Sequence, residues 1–190
     1  MIQEGAESSP FARKLVADTA RLRIQHFTLD DAAFVLRLLN EPSFMKFIGD
    51  KAVRTQEEAR AYLAAGPLAG YVRFGFGLNR VQLKESGEPI GMCGILKRDS
   101  LPDPDLGYAL LPDYWSHGYA FEAAGAIMNH AEQVLRLPRV LAITNADNAA
   151  SIRLLEKTKF RLVGPVRLSA DEPELKLYSL ELPRPAALPA

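Results

Sequence analysis

One cysteine, Cys93, stands in a chain of 190 residues. Neither a disulfide framework nor a multi-thiolate metal centre can be built from it, and a reducing compartment is the expected setting. The three histidines, His26, His117 and His130, are far apart, and without H-x-x-x-H or C-x-x-C spacing no zinc site is expected. Surplus charge is also missing, because 23 Lys and Arg balance 23 Asp and Glu. That balance counts against a general nucleic-acid binder and against a polybasic membrane anchor. Charge interrupts every apolar run within about ten residues, short of the roughly 20 that a spanning helix needs. The opening stretch carries Glu4, Glu7 and Asp18 with no apolar core, unlike a secretory signal, so a cytoplasmic protein is expected. No P-loop Gly-Lys-Ser/Thr and no Gly-x-Gly-x-x-Gly occurs, which discourages a nucleotide binder.

What is present is apolar patterning: 48% of the residues are hydrophobic, enough for one packed domain over 1–190. Residues 1–20 are read as a loose leader and 183–190 as a frayed Pro/Ala tail. Leu22, Ile24 and Phe27 mark a strand, and Thr28-Leu29-Asp30-Asp31 caps a helix carrying Phe34, Val35, Leu38 and Leu39. A second capping box, Thr55-Gln56-Glu57-Glu58, opens a helix that runs to Gly66-Pro67. Between them Ser43–Arg54 reads as a loop able to cover a pocket. Tyr71–Lys84 and Pro89–Lys97 read as a hairpin around Glu85-Ser86-Gly87-Glu88, and Asp105–Leu111 as a third strand stopped by Pro112. Helical spacing runs from Gly118 to Val134; Val140–Thr144 is a short strand. Asn148 caps a last helix before strands Phe160–Leu168 and Leu175–Leu182. The order βααβββαβαββ implies an α/β fold, a mixed sheet with helices on both faces.

Chemistry concentrates where the strand Asp105–Leu111 passes through Pro112 into a short loop whose Gly118 precedes the long helix. Helix starts expose unpaired N–H groups and the positive end of the dipole, so such a loop suits a phosphate or pyrophosphate. Gly118 and Ala120 keep large side chains out of the way. One glycine ahead of an amphipathic helix is, by itself, usually only a turn.

The run Tyr114-Trp115-Ser116-His117-Gly118-Tyr119-Ala120-Phe121-Glu122-Ala123 closely resembles the acetyl-CoA pyrophosphate loop of the GNAT superfamily of N-acetyltransferases, particularly its RimJ/RimL-like branch of ribosomal-protein N-terminal acetyltransferases. Three segments agree in order. Val81–Gly91 looks like that branch's central hairpin, Gly107-Tyr108-Ala109-Leu110 resembles its splayed strand, and Asn148–Lys157 is similar to its late Asn-x-x-Ser helix. The resemblance spans Arg21–Leu182 and implies a GNAT-type, mostly antiparallel sheet.

It also implies roles. Backbone groups at Leu110 and Leu111 would pair with the pantetheine arm of acetyl-CoA. His117, Gly118, Tyr119 and Ala120 would offer main-chain N–H groups to the pyrophosphate. Asn148 would reach the cofactor from the other side, and Ser151 would lie near the thioester sulfur and help protonate the departing thiolate. The implied reaction is direct attack of a primary amine on the thioester. The amine would belong to a protein or peptide N-terminus or to a small molecule such as a polyamine, amino acid or aminoglycoside.

The residues themselves leave other readings open. Ser151 and Asn148 are both ordinary at a helix start, Asn148 as an N-cap. Cys93 in a strand reads as a small hydrophobe, Glu122 as support for the helix N-terminus, and Trp115 and Tyr119 as packing residues. His26 and His130 read as structural. Among Glu41, Asp50 and Asp105 no spacing singles out a general base. Ser116 stands where relatives have Gly and His117 where they have Lys or Arg, implying a weaker or pH-dependent hold on the cofactor. Lys159 replaces the usual Gly of a turn that often needs positive φ, so a reshaped turn is expected. These departures keep alive a non-catalytic acyl-CoA sensor. Gly70–Leu78, with Phe74 and Phe76 alternating, fits a homodimer contact or a half-buried strand, and the core reading is preferred.

Overall fold

In the computed structural model, which describes residues 13–183, the Leu22-x-Ile24 alternation becomes strand β2 (Leu22–His26), with both side chains fully buried. The Asp31 carboxylate accepts the Thr28 N–H at 2.9 Å, fixing the 3-10 turn that leads into α1 (Ala32–Leu39). Thr55 and Glu58 close the second capping box reciprocally, at 3.2 and 3.0 Å, and start α3 (Gln56–Leu63). Strands β3 (Leu78–Leu83), β4 (Pro89–Leu96) and β5 (Asp105–Leu110) form an antiparallel meander. Helix α5 (Tyr119–Gln133), β6 (Arg139–Thr144), α6 (Ala149–Lys157), β7 (Arg161–Val166) and β8 (Leu175–Glu181) complete the chain.

Eight strands share one sheet in the order β1-β2-β3-β4-β5-β6-β8-β7, with β1 at Leu15–Asp18. The sole parallel pairing among them is β5 with β6. The mixed, mostly antiparallel expectation therefore holds. One face of the sheet packs Leu22, Ile24, Val81 and Ile95 against Ala124 and Ile127 of α5. The other packs Met92 and Leu111 with Val35 and Leu38 of α1 and Leu63 of α3. A Cβ placed on Gly91 would lie 2.3 Å from the Ala109 carbonyl oxygen, so only glycine lets β4 and β5 approach this closely beside Leu110.

Four expectations need correction. The leader is not loose throughout, because Leu15–Asp18 pairs with β2 and Val16 and Ala17 pack on the core; residues 1–12, like the tail from 184, lie outside the described residues. Ser43–Arg54 is not wholly a loop: α2 (Pro42–Phe47) starts on Pro42, whose fixed φ and missing N–H suit a first turn, and it buries Phe44. Where Tyr71 was expected to begin a strand, α4 (Ala69–Phe74) follows α3 through a π-turn at Ala64–Leu68. Pro67 does not end the helix because the wider turn accommodates a residue without an N–H, and the helix stops only at Gly75, φ 79°. Phe76 packs on the core as expected, but Phe74 is 37% exposed. Finally, the turn at Lys159 is not reshaped: lysine itself adopts φ 69°. The observed order is ββααααβββαβαββ.

Candidate active site

Strands β5 and β6 are in register at one pair, Asp105↔Leu141, where the Leu141 N–H meets the Pro104 carbonyl at 2.8 Å. Beyond that pair they part. On its other side β5 stays bonded to β4, and the Leu111 N–H reaches the Ile90 carbonyl at 2.9 Å. Antiparallel ladders alternate, so if Leu111 faces β4 the backbone groups of Leu110 and Tyr108 face the gap. The Trp115 indole N–H occupies the Leu110 carbonyl at 2.8 Å, and the Leu110 N–H at the end of the strand has no partner among the described residues. Of the two residues expected to pair with a ligand, Leu110 thus has a group to offer, whereas the Leu111 N–H is already committed to the sheet.

Because β5 and β6 run parallel, the helices that follow them both begin at the open end of the gap, the place where open α/β sheets bind ligands. A 3-10 turn at Pro112–Tyr114 leads from β5 to α5. Gly118, at φ 81°, is the N-cap, and the first helical acceptor bond runs from the Glu122 N–H to the Gly118 carbonyl at 3.0 Å. The N–H groups of Gly118, Tyr119 and Ala120 therefore precede the helical ladder, with small side chains at two of the three positions. Unpaired donors at the positive end of a helix suit an anionic group. Ser116 keeps φ 64°, the conformation a glycine would favour.

A cation absent from the loop's own sequence is brought to it by Arg21, ahead of β2. Its guanidinium donates to the His117 carbonyl at 3.0 Å, lies 4.5 Å from the Tyr119 ring centroid and pairs with Glu122 at 2.7 Å. Burial works against ionisation of Glu122, but hydrogen bonds from Thr19 and from the backbone and side chain of Arg21 outweigh it and hold its pKa below the ordinary value. The His117 Nδ1 lies 2.7 Å from the Trp115 carbonyl, and its ring stacks on Tyr119 at 5.7 Å. Trp115 is 44% exposed, so it is less a packing residue than a hydrogen-bonded brace for the end of β5.

Across the gap, the Asn148 side-chain carbonyl accepts the Ser151 N–H at 3.0 Å and caps α6. The Ser151 hydroxyl lies 2.6 Å from the Tyr108 hydroxyl of β5. Tyr108 was missed as a site residue, although Leu106-x-Tyr108-x-Leu110 alternates and both leucines are buried on one face. Burial pushes the Tyr108 phenol up to about 12, against the opposing pull of its bond to Ser151. The gap thus has a hydroxyl pair on its walls, one from β5 and one from α6. Asn145 and α2 meet beyond it, the Asn145 amide donating to the Phe47 carbonyl at 3.0 Å.

Other candidates fall away. Cys93 is fully buried, and burial pushes its thiol up to about 12, which suits a hydrophobe and not a nucleophile. Asp105 is buried against Arg98, with both carboxylate oxygens 3.0 Å from its Nε. Asp50 is engaged by Arg54 at 2.5 Å and by the Ala52 N–H at 2.8 Å. Among the described residues no group of three or more His, Cys, Asp and Glu could hold a metal, and no helix is long and apolar enough to cross a membrane.

Comparison with known proteins gives the family and the fold. The uncharacterized N-acetyltransferase YoaA of Bacillus subtilis (strain 168) is 24% identical over 175 residues, covering 89% of this chain and 98% of its own. An acetyltransferase from Agrobacterium tumefaciens str. C58 superposes with a TM-score of 0.74 at 25% identity, over 93% of this chain and 99% of that one. RimL, a ribosomal L7/L12 alpha-N-protein acetyltransferase solved with coenzyme A, shares the fold at a TM-score of 0.77 and 17% identity, over 89% and 98% of the two chains. The acetyltransferase (GNAT) domain family matches residues 21–161, and the chain belongs to that family.

Proposed function

We propose that this acetyltransferase moves an acetyl group from acetyl-CoA to a primary amine by direct attack on the thioester. The acceptor is a protein or peptide N-terminus or a small amine, in a cytoplasmic setting. One observation carries the reading: the gap between β5 and β6 has unpaired N–H groups of α5 at its mouth and the Tyr108–Ser151 hydroxyl pair on its walls. The likeness to RimL supports the same fold, and the protein N-terminus is favoured among acceptors on that likeness in branch.

Acetyl-CoA supplies an acetyl thioester, whose carbonyl carbon takes the amine and whose C–S bond breaks. Gly118, Tyr119 and Ala120 bind the pyrophosphate through main-chain donors, with Arg21 as the nearby cation. The Leu110 N–H offers a donor to the carbonyl oxygen as charge develops on it. Ser151 provides a proton-bearing oxygen on the opposite wall for the sulfur. Asn148 holds the first turn of α6, and so Ser151, in place.

Calorimetric titration of the purified protein with acetyl-CoA, followed by thiol release with N-terminal peptides and small amines, tests this. Binding with turnover supports it and begins to name the acceptor. Binding without turnover across the library would favour the sensor reading. Absence of binding would remove the basis for both.

A further inference from the structure

We infer that Tyr108 is a positioning residue for the acetyl transfer: it donates its hydroxyl proton to Ser151 Oγ and thereby turns the Ser151 proton toward the gap. The inference rests on the proposed role of Ser151. It follows from counting protons in a pair of hydroxyls 2.6 Å apart. Each has a single O–H, and each can also accept. Two arrangements are possible, Tyr108 donating to Ser151 or the reverse.

Their surroundings differ. Tyr108 projects from β5 on the face that carries the buried Leu106 and Leu110, and its ring packs against that core. Ser151 Oγ is the one hydrogen-bond partner of its hydroxyl among the described residues. If Ser151 donated instead, the phenol proton would have no acceptor among the described residues, and a half-buried donor left unpaired is disfavoured. The phenol also keeps its proton at neutral pH, since burial raises its pKa. Ser151 sits in the first turn of α6, where its N–H is taken by Asn148 and its hydroxyl has no other partner among the described residues. With Tyr108 as donor, the Ser151 O–H is left free, directed by its neighbour and not by chance rotation.

Acetyl transfer balances without a further reactant. The amine nitrogen gains a bond to the acetyl carbon and loses one proton. Sulfur leaves with the C–S electron pair and gains one proton. Ser151 passes its proton to the sulfur as negative charge appears there and regains the one that the amine releases, while Tyr108 stays protonated throughout. A serine whose hydroxyl is free to rotate spends part of its time pointing elsewhere, and that fraction is what the tyrosine removes.

The test compares the wild-type protein with Tyr108→Phe, Ser151→Ala and the double variant. The phenylalanine keeps the ring that packs on the core, and melting temperatures of all four proteins check the fold. The first readout needs no acceptor: the ratio of affinities for CoA and desulfo-CoA at about pH 9, where an aliphatic thiol is partly ionised. The wild type should favour CoA, and each single variant should lower the ratio about 3- to 10-fold, the worth of one hydrogen bond. The double variant should be no lower than Ser151→Ala. The second readout is steady-state turnover with any accepted amine: Tyr108→Phe should reduce kcat by a similar factor and leave KM for acetyl-CoA nearly unchanged. A purely structural tyrosine would shift melting temperature and KM, and its effect would multiply with that of Ser151→Ala. Multiplying effects, or a Tyr108→Phe protein with wild-type ratio and kcat beside an impaired Ser151→Ala, would overturn the inference and leave the proposed function standing. An unimpaired Ser151→Ala would instead overturn the role of Ser151 itself.

Discussion

At the scale of single residues, four non-glycine residues among those described, Ala52, Ser116, Arg136 and Lys159, adopt a conformation that favours glycine. Lys159 has φ 69° and Ser116 φ 64°. A non-glycine residue in the left-handed region is disfavoured by roughly 1–2 kcal/mol, partly offset because glycine loses more backbone freedom on folding. Lys159→Gly should therefore stabilise the protein by about 0.5–1 kcal/mol and raise its melting temperature by a few degrees. Calorimetry would show it, and an unchanged or lower melting temperature would mean that lysine makes a compensating contact. His26 carries a second consequence. Burial first, then Lys14 and His130, lower its pKa to about 4, while its ring stacks on Tyr71 at 3.7 Å. Between that value and the ordinary one near 6.5 the unfolded chain binds the proton and the folded chain does not, so stability falls as pH drops through this window. Urea unfolding at pH 7 and pH 5 should show the loss, and His26→Gln should flatten it. Equal slopes for the two proteins would assign the acid sensitivity to another group.

At the scale of elements, the loop that enters α5 is held from outside by the turn between β1 and β2. Thr19 donates to Glu122 at 2.6 Å, and Arg21 reaches both Glu122 and the His117 carbonyl. Exposed ion pairs are worth little by themselves, but this one positions a loop and places a cation beside unpaired N–H groups. Arg21→Ala should weaken acetyl-CoA binding by roughly tenfold. It should scarcely change binding of S-acetylpantetheine, which has no pyrophosphate. Equal losses for both ligands, measured by titration, would show that Arg21 supports the fold and not the loop's ligand. This pairing also marks where reading the sequence stops. The loop, Gly118 and the late Asn-x-x-Ser helix are local patterns, visible because caps and helix starts depend on neighbours within a few residues. Arg21 with Glu122 and Tyr108 with Ser151 are separated by 101 and 43 positions, and only strand order brings them together. The same limit hid α4: Phe74 and Phe76 alternate like a strand, and nothing local says that Pro67 sits in a π-turn that lets the helix continue.

At the scale of the whole molecule, the sheet consists of two parts whose backbones pair at one point and whose side chains share one core, in which Val140, Ala142, Leu155, Phe160 and Tyr178 pack in the same cluster as residues of β2–β5 and α5. β1–β5 carry α5, while β6–β8 carry α6, and one register pair links β5 to β6. Polar side chains add further ties, Arg139 with Asp103, Tyr108 with Ser151, Asn145 with the Phe47 carbonyl and Lys46 with Asp147. A ligand lying in the gap would contact both parts, through the start of α5 on one side and α6 on the other. It would then act as a cross-brace, and stabilisation would spread beyond the residues it touches. At a ligand concentration 100 times its Kd the gain is about 2.7 kcal/mol, which for a domain of this size corresponds to a rise in melting temperature of roughly 5–10 °C. Hydrogen exchange locates that gain. Acetyl-CoA should slow exchange in β6 and α6 as well as at the start of α5, because opening of the C-terminal part must first break its contacts with the ligand. Protection confined to α5 would show that the ligand binds the loop without entering the gap. The site would then be a surface for a pyrophosphate, and Ser151 and Tyr108 would lie too far from the thioester to act on it.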